Sequence, residues 1–350
     1  MDSIELTRLL VNIPSVSGDE AEVCQFLASY LQSLGYTVEL QEVTDGRSNI
    51  IAMTEMCPRV VLSTHMDTVP PFIPLSEDEE YLYGRGACDA KGIIAAQISA
   101  AERLRSDGFA EVGLLLTVDE ERGSEGARAA NAHRLAPGCR YLINGEPTDN
   151  KLAVGSKGSL RLRIRTEGRA AHSAYPEAGD SAIEKLLDVL ADIRACPWPS
   201  DPLLGETTCN IGTIAGGTSL NIIPAEAGAD LQLRLVTKAA PIREMLEGAV
   251  AGRARVEYLS VAEPVRMRSV EGFEHGVVRF TTDIPYLTNW GTPLLCGPGS
   301  ILDAHTSQER ISKRELKRAV DLYTHLIRSL LAHEDSGEHN GPAERKEALR

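Results

Sequence analysis

The sequence predicts an α/β fold: a mostly parallel sheet with helices on both faces, carrying an inserted two-layer βαββαβ unit. Two observations predict it. Short apolar runs alternate with stretches of helical spacing before residue 155 and again after 268, an order that gives parallel sheets. Between 156 and 267 the apolar residues recur with a period of two, as in strands with one buried and one wet face.

The elements follow in order. Val23, Phe26, Leu27, Tyr30, Leu31 and Leu34 keep helical spacing, and Gly35 ends that helix. Val60–Leu62, Val112–Val118 and Tyr141–Ile143 read as buried strands, with helical stretches at Ile94–Leu104 and Gly126–Leu135. In the middle segment Leu160, Leu162 and Ile164 alternate with Arg161, Arg163 and Arg165. A helix near 180–194, strands near 207–214 and 226–235, a helix near 240–250 and a strand near 254–262 complete the βαββαβ order. Thr292–Cys296 then reads as a strand, and Leu316, Val320, Tyr323, Ile327 and Leu330 mark a last amphipathic helix. The domains expected are 1–155 with 268–332, and 156–267. Residues 333–350 are polar and are expected to form a disordered tail.

Composition narrows the function. Lys plus Arg total 36 against 50 Asp plus Glu, a formal net charge of −14. Such a chain repels phosphates, so nucleic acid is not an expected partner. No apolar run approaches the roughly 20 residues that span a bilayer, so no membrane association is expected. The start, Met1-Asp2-Ser3-Ile4-Glu5, has neither the basic nor the apolar region of a signal peptide. The 7 cysteines are odd in number and scattered, without a Cys-x-x-Cys pair; reduced thiols in a cytoplasmic setting are expected.

The chemistry-bearing residues fall in five segments, each placed just after a predicted strand. They are His65-Met66-Asp67, Cys88-Asp89, Asp119-Glu120-Glu121, Gly145-Glu146-Pro147 and Asp303-Ala304-His305. In parallel α/β sheets the carboxyl ends of strands converge on one crevice, so these residues could meet. Two imidazoles with several carboxylates suit a pair of divalent ions, zinc first, cobalt or manganese next. A water between two such ions would be acidified towards a pKa of ~7, and a free carboxylate nearby could carry its proton to a leaving amine. Each segment alone has an ordinary reading. A lone His is more often packed than ligating, Asp89 could cap a helix starting near Lys91, and Glu146 could be a turn residue. Their occurrence together favours the metal reading. No Gly-x-Gly-x-x-Gly, Gly-x-Ser-x-Gly or His-Glu-x-x-His motif competes with it.

Three of these segments resemble the metal motifs of the co-catalytic dinuclear zinc amidohydrolase and peptidase family, which includes acetylornithine deacetylase, succinyl-diaminopimelate desuccinylase, aminoacylase and several di- and carboxypeptidases. They are Leu62-Ser-Thr-His65-Met-Asp67-Thr-Val-Pro70, Tyr83-Gly-Arg-Gly86-Ala-Cys-Asp89-Ala-Lys91-Gly92, and Asp119-Glu120-Glu121 followed by Gly123-Ser124-Glu125-Gly126. Cys88 departs from the small residue expected before Asp89 and reads as packing. The resemblance implies that His65, Asp89 and Glu146 hold one metal, and that Asp89, Glu121 and His305 hold the other. It implies Glu120 as general base and acid, with Asp67 behind His65, orienting it and raising its basicity.

For the inserted unit the resemblance implies a lid and dimerisation domain, hence a homodimer. His172 in Gly168-Arg-Ala-Ala-His172-Ser-Ala-Tyr-Pro176 would stabilise the oxyanion across the dimer. Asn221 in Gly216–Pro224, Arg234, and Gly297 and Gly299 in Gly297-Pro298-Gly299-Ser300 would meet the substrate, with Arg234 clamping its carboxylate. The expected activity is hydrolysis of a small N-acyl amino acid. The segments Phe280–Leu287 and Cys296–Ile301 look most like the acetylornithine deacetylase branch of arginine biosynthesis. Desuccinylase, carrier-protein lysine hydrolase and dipeptidase are the alternatives within the family. A non-catalytic binding protein on the same fold is the competing class; it would have lost a ligand or the base, and all six residues are present.

Overall fold

A computed structural model describes residues 1–44, 46–54 and 57–335. Its elements are, in chain order, helices α1 (Ser3–Val11) and α2 (Ala21–Ser33), strands β1 (Thr37–Thr44), β2 (Arg47–Met53) and β3 (Val60–His65), helix α3 (Lys91–Ser106), strand β4 (Val112–Thr117), helix α4 (Glu125–Asn131), and strands β5 (Tyr141–Asn144), β6 (Leu152–Ser156) and β7 (Gly158–Glu167). Then come helix α5 (Ala182–Ala195), strands β8 (Thr208–Gly216) and β9 (Glu226–Leu235), helix α6 (Ala239–Val250), strands β10 (Arg255–Ala262) and β11 (Thr292–Leu295), and helix α7 (Lys313–Asp335). Two compact units form: Met1–Val154 with Arg266–Gly276 and Thr282 onward, and Gly155–Val265 with Val277–Thr281. The sequence reading has two crossings; the chain also returns to the second unit for Val277–Thr281.

The large sheet runs β1-β2-β4-β3-β5-β11-β6, with short strands at Val265–Arg266 and His275–Val278 beyond. Strands β4, β3, β5 and β11 pair in parallel and form its centre. Antiparallel pairings of β1 with β2, β2 with β4, and β11 with β6 flank them. Alternate side chains of the central strands enter different cores. Leu62, Leu114, Leu116 and Ile143 pack with α1, α2, α3 and α7, whereas Val61, Leu115 and Leu142 pack with Ala127, Ala130 and Trp290. Helical cover on both faces explains the unbroken apolar runs, and β3, β4 and β5 are buried at every position.

Several features lie outside the sequence reading, among them strand β6, helix α1 and the hairpin β1–β2. Helix α1 starts from a capping box in which the Asp2 side chain accepts from the Glu5 amide and Glu5 accepts from the Asp2 amide. The hairpin β1–β2 lengthens the sheet at one edge, and β1 is half exposed, so its apolar signal is weak. Helix α7 continues to Asp335, past the expected start of the tail; the rest of that tail lies outside the described residues. In the second unit the antiparallel order is β8-β9-β7-β10. Leu160, Leu162, Ile164, Leu231 and Leu233 bury one face under α5 and α6, leaving Arg161 and Arg165 exposed on the other. Among the described residues no helix is long and apolar enough to cross a membrane.

Candidate active site

His65 is the last residue of β3, and its ring is buried. Its Nδ1 lies 2.9 Å from the backbone oxygen of Asp67, which fixes the ring and turns Nε2 to within 2.9 Å of Asp89 Oδ1. Asp89 precedes α3 but does not cap it: the N-cap is Ala90, without a side-chain cap. This strand-following reading is corrected for one segment, because the strand before Asp89, Tyr81–Tyr83, belongs to a separate three-stranded sheet. The other carboxylate oxygen of Asp89 lies 3.4 Å from His305 Nε2, which is 2.9 Å from Glu121 Oε1. One ligand atom each from His65, Asp89 and Glu121 lies within 4.8 Å of the others.

The turn after β4 presents Glu120 and Glu121. Asp119 there adopts φ of +68°, a left-handed conformation that non-glycine residues take at a cost. Surrounding bonds hold it: Asp119 O accepts from the amides of Gly123 and Ser124, and its carboxylate accepts from Arg47 at 3.0 Å. Arg47 is itself paired with the buried Glu20. Asp67, besides holding His65, accepts from the amides of Glu120 and Glu121 at 3.1 and 3.2 Å and from the Ser17 hydroxyl at 2.6 Å. Asp67 thus serves twice: its backbone oxygen fixes the imidazole, and its buried carboxylate fixes the acidic turn.

Glu146 follows β5 and is buried, with its Oε1 lacking any hydrogen-bond partner. Burial and the Asp89 charge push its carboxyl well above the ordinary carboxylate range. Burial, then Glu146, does the same to Glu120. Asp283, also buried, is raised to about 6 by burial, and only one of its oxygens is paired, with the Thr117 hydroxyl at 2.8 Å. Asp89 runs the other way: burial opposes its charge, but the His305 and His65 rings outweigh it. Asp89 and Glu121 lift His305 to about 10. Buried carboxylates crowd together, two of them, Glu146 and Asp283, with a partnerless oxygen, beside two imidazoles. A divalent cation fits this donor set, since it would neutralise the repulsion and fill the open valence of Glu146.

Gly297 and Gly299 press against this frame. A Cβ on Gly297 would sit 2.6 Å from the backbone oxygen of Glu146, and one on Gly299, at φ +87°, would sit 2.6 Å from Cys88 Sγ. Cys88 accordingly packs, its thiol donating to Ser300 O at 3.4 Å. Gly297→Ala is expected to displace Glu146, lowering activity at least ~10-fold together with Tm; activity assays and thermal melts check this.

In the second unit His172 and Asn221 lie side by side. His172 bridges Ile222 as an isolated antiparallel pair, and Ser173 N donates to Asn221 O at 3.0 Å. Both side chains are exposed; His172 Nδ1 accepts from the Ala174 amide, and Asn221 Oδ1 accepts from Ser219 Oγ. Arg234, on β9, is half-buried, its Nη1 donating to Thr281 Oγ1 at 3.3 Å.

Residues 61–329 match the family model for peptidase family M20/M25/M40. The chain belongs to this family. It is therefore a hydrolytic enzyme acting on amide bonds. A peptidase M20 domain-containing protein of Schizosaccharomyces pombe is 38% identical over 335 residues, covering 93% of this chain and 84% of that protein. An Aspergillus terreus protein named a probable carboxypeptidase is 37% identical over 369 residues, covering 93% and 85%. The crystal structure of the aminopeptidase PepT from Bacillus cereus superposes with a TM-score of 0.76 at 23% identity over 94% of this chain and 98% of that one, so the M20 fold is shared.

Sequence reasoning missed Ser17, Glu20, Arg47, Asp283 and Glu309. Each hydrogen-bonds a neighbour and stands outside the metal motifs, so no motif spacing marks it. Asp283 alone stood in a segment already singled out, Phe280–Leu287.

Proposed function

We propose that this M20 enzyme releases an amino acid with a free carboxylate from the amide that joins it to an acyl group. His65, Asp89 and Glu146 would hold one divalent ion and Asp89, Glu121 and His305 a second, zinc first, cobalt or manganese next. When bound, such ions supply Lewis acidity, acidifying an attacking water and polarising the scissile carbonyl. Glu120, beside these ligands and not needed as one, takes the proton of the attacking water and returns it to the leaving amine. Asp67 holds the His65 ring and the Glu120 turn in register. From the second unit, acting as lid and dimerisation domain of a cytoplasmic homodimer, His172 would donate to the developing oxyanion. Arg234 would clamp the substrate carboxylate, with Asn221, Gly297 and Gly299 lining the substrate.

The observation that carries this reading is the approach of His65, Asp89 and Glu121 to within 4.8 Å of one another, with His305 2.9 Å from Glu121 and 3.4 Å from Asp89, and Glu120 and Glu146 nearby. The substrate we favour is an N-acyl amino acid of the acetylornithine type, on the likeness of Phe280–Leu287 and Cys296–Ile301 to that branch. A carboxypeptidase is the second reading, favoured by the name of the relative at 37% identity. Both leave the same kind of product and differ in the acyl side. Steady-state assays of N-acetyl amino acids and dipeptides after loading with Zn²⁺ or Co²⁺ separate them: deacetylation with higher kcat/KM is expected, and a dipeptide-only profile selects the carboxypeptidase.

A further inference from the structure

Glu309 lies four residues beyond His305 and is almost fully buried, at 1% exposure. Its Oε1 accepts three backbone N–H groups, from Gly86 at 2.9 Å, Cys88 at 3.2 Å and Asp89 at 3.1 Å. Its Oε2 accepts from Arg85 Nη1 at 2.5 Å, and its backbone oxygen accepts from the Gly84 amide at 3.0 Å. Arg85 is buried too, and its Nε donates to Pro71 O at 3.2 Å. The glycines make this wrapping possible: Gly84 and Gly86 have φ of +142° and +85°, and the amides of Gly86, Cys88 and Asp89 converge as they would on a free anion, while that of Ala87 donates to Gly84 O. Here the anion is a side chain of the protein.

We propose that Glu309 is a positioning residue that ties the loop carrying Asp89 to the loop carrying His305, so that the two side chains reach the same ion. The inference rests on the two-ion reading above. Its geometry is direct. The Asp89 amide is anchored on a carboxylate whose own backbone begins four residues after His305, so the relative placement of the two ligands is set before any ion arrives. A neutral amide at 309 cannot do the same work. It offers one acceptor oxygen in place of two, turns an NH₂ towards either the guanidinium or the amides, and leaves Arg85 as an unpaired buried charge.

The probe is Co²⁺ alone, titrated into metal-free enzyme and followed by its visible absorption well below the melting temperature. Wild type is expected to take up two ions. Glu309→Gln should weaken uptake of at least one by ~10–100-fold and alter its absorption band. The double variant Arg85→Met/Glu309→Gln removes the stranded charge, so it should regain Tm without regaining Co²⁺ affinity; it also serves if the single variant does not fold. In metal-free wild type, hydrogen exchange at the Gly86, Cys88 and Asp89 amides should already be slow. The inference is overturned if either variant binds both ions as tightly as wild type, or if those amides exchange in the metal-free wild type like an open loop. Wild type that fails to take two ions would instead sink the two-ion reading, a result distinct from either of these.

Discussion

Glu120→Gln is expected to keep its metal and lose at least ~10² in turnover. The replacement is isosteric, and the anchor of this turn is the Glu120 backbone amide donating to Asp67, which the substitution leaves in place. What disappears is the ability to take a proton from water and return it to an amine. In the metal-free protein the wild-type carboxyl is held well above the ordinary range by burial and by Glu146. Measuring kcat beside metal content by atomic emission checks this. Turnover equal to wild type would remove Glu120 from the chemistry; lost metal would make it a ligand.

Chelation is expected to abolish activity, with recovery on adding Zn²⁺ or Co²⁺, and to leave a protein whose stability falls as pH rises from 5 to 8. The sign follows from the site. In the metal-free protein the Glu120 and Glu146 carboxyls are raised by burial and by neighbouring charge, and Asp283 is raised to about 6 by burial. A group with a raised folded pKa stabilises the fold below its unfolded pKa and loses that contribution as pH climbs through the folded value. His305, raised to about 10 by Asp89 and Glu121, works in the same direction above pH ~6.5, where the unfolded imidazole sheds its proton. Asp89 has the opposite sign, but its lowered pKa puts its loss below the ordinary carboxylate range and outside this window. Thermal melts in EDTA at pH 5, 6.5 and 8 should therefore give a descending Tm, and Zn²⁺ should raise Tm most at pH 8. A Tm that climbs with pH in EDTA would show the carboxylates to be farther apart than described.

The legible parts of this molecule were those with strong periodic signals. Buried strands such as Val60–His65 and Val112–Thr117 are apolar throughout because helices cover both faces, and the alternation of Leu160, Leu162 and Ile164 with arginines marks a sheet wet on one side. Helix α1 lies outside that reading although its capping box and the helical spacing of Ile4, Leu6, Leu10 and Val11 mark it, whereas β1 is faint because its exposed edge carries few apolar residues. At the site, the neighbours His65, Asp89, Glu121 and His305 could be singled out from the sequence because a metal ligand must be one of a few residue types. Glu309, Arg47 and Ser17 act by hydrogen-bonding backbone or other side chains, a task many residues share, and their partners lie 27 to 224 residues away. Such pairings exist only once the chain has folded.

The strands through which the chain leaves and rejoins the larger sheet are close neighbours: Met267 N donates to Val154 O at 3.0 Å. A segment of more than a hundred residues thus begins and ends at almost one point. For the surrounding scaffold it is an outsized hairpin loop, and because closure entropy grows only with the logarithm of length, its bulk adds little to the cost of folding its host. Apart from the short return at Val277–Thr281, such an attachment lets the appended module vary in length while the larger sheet keeps its register.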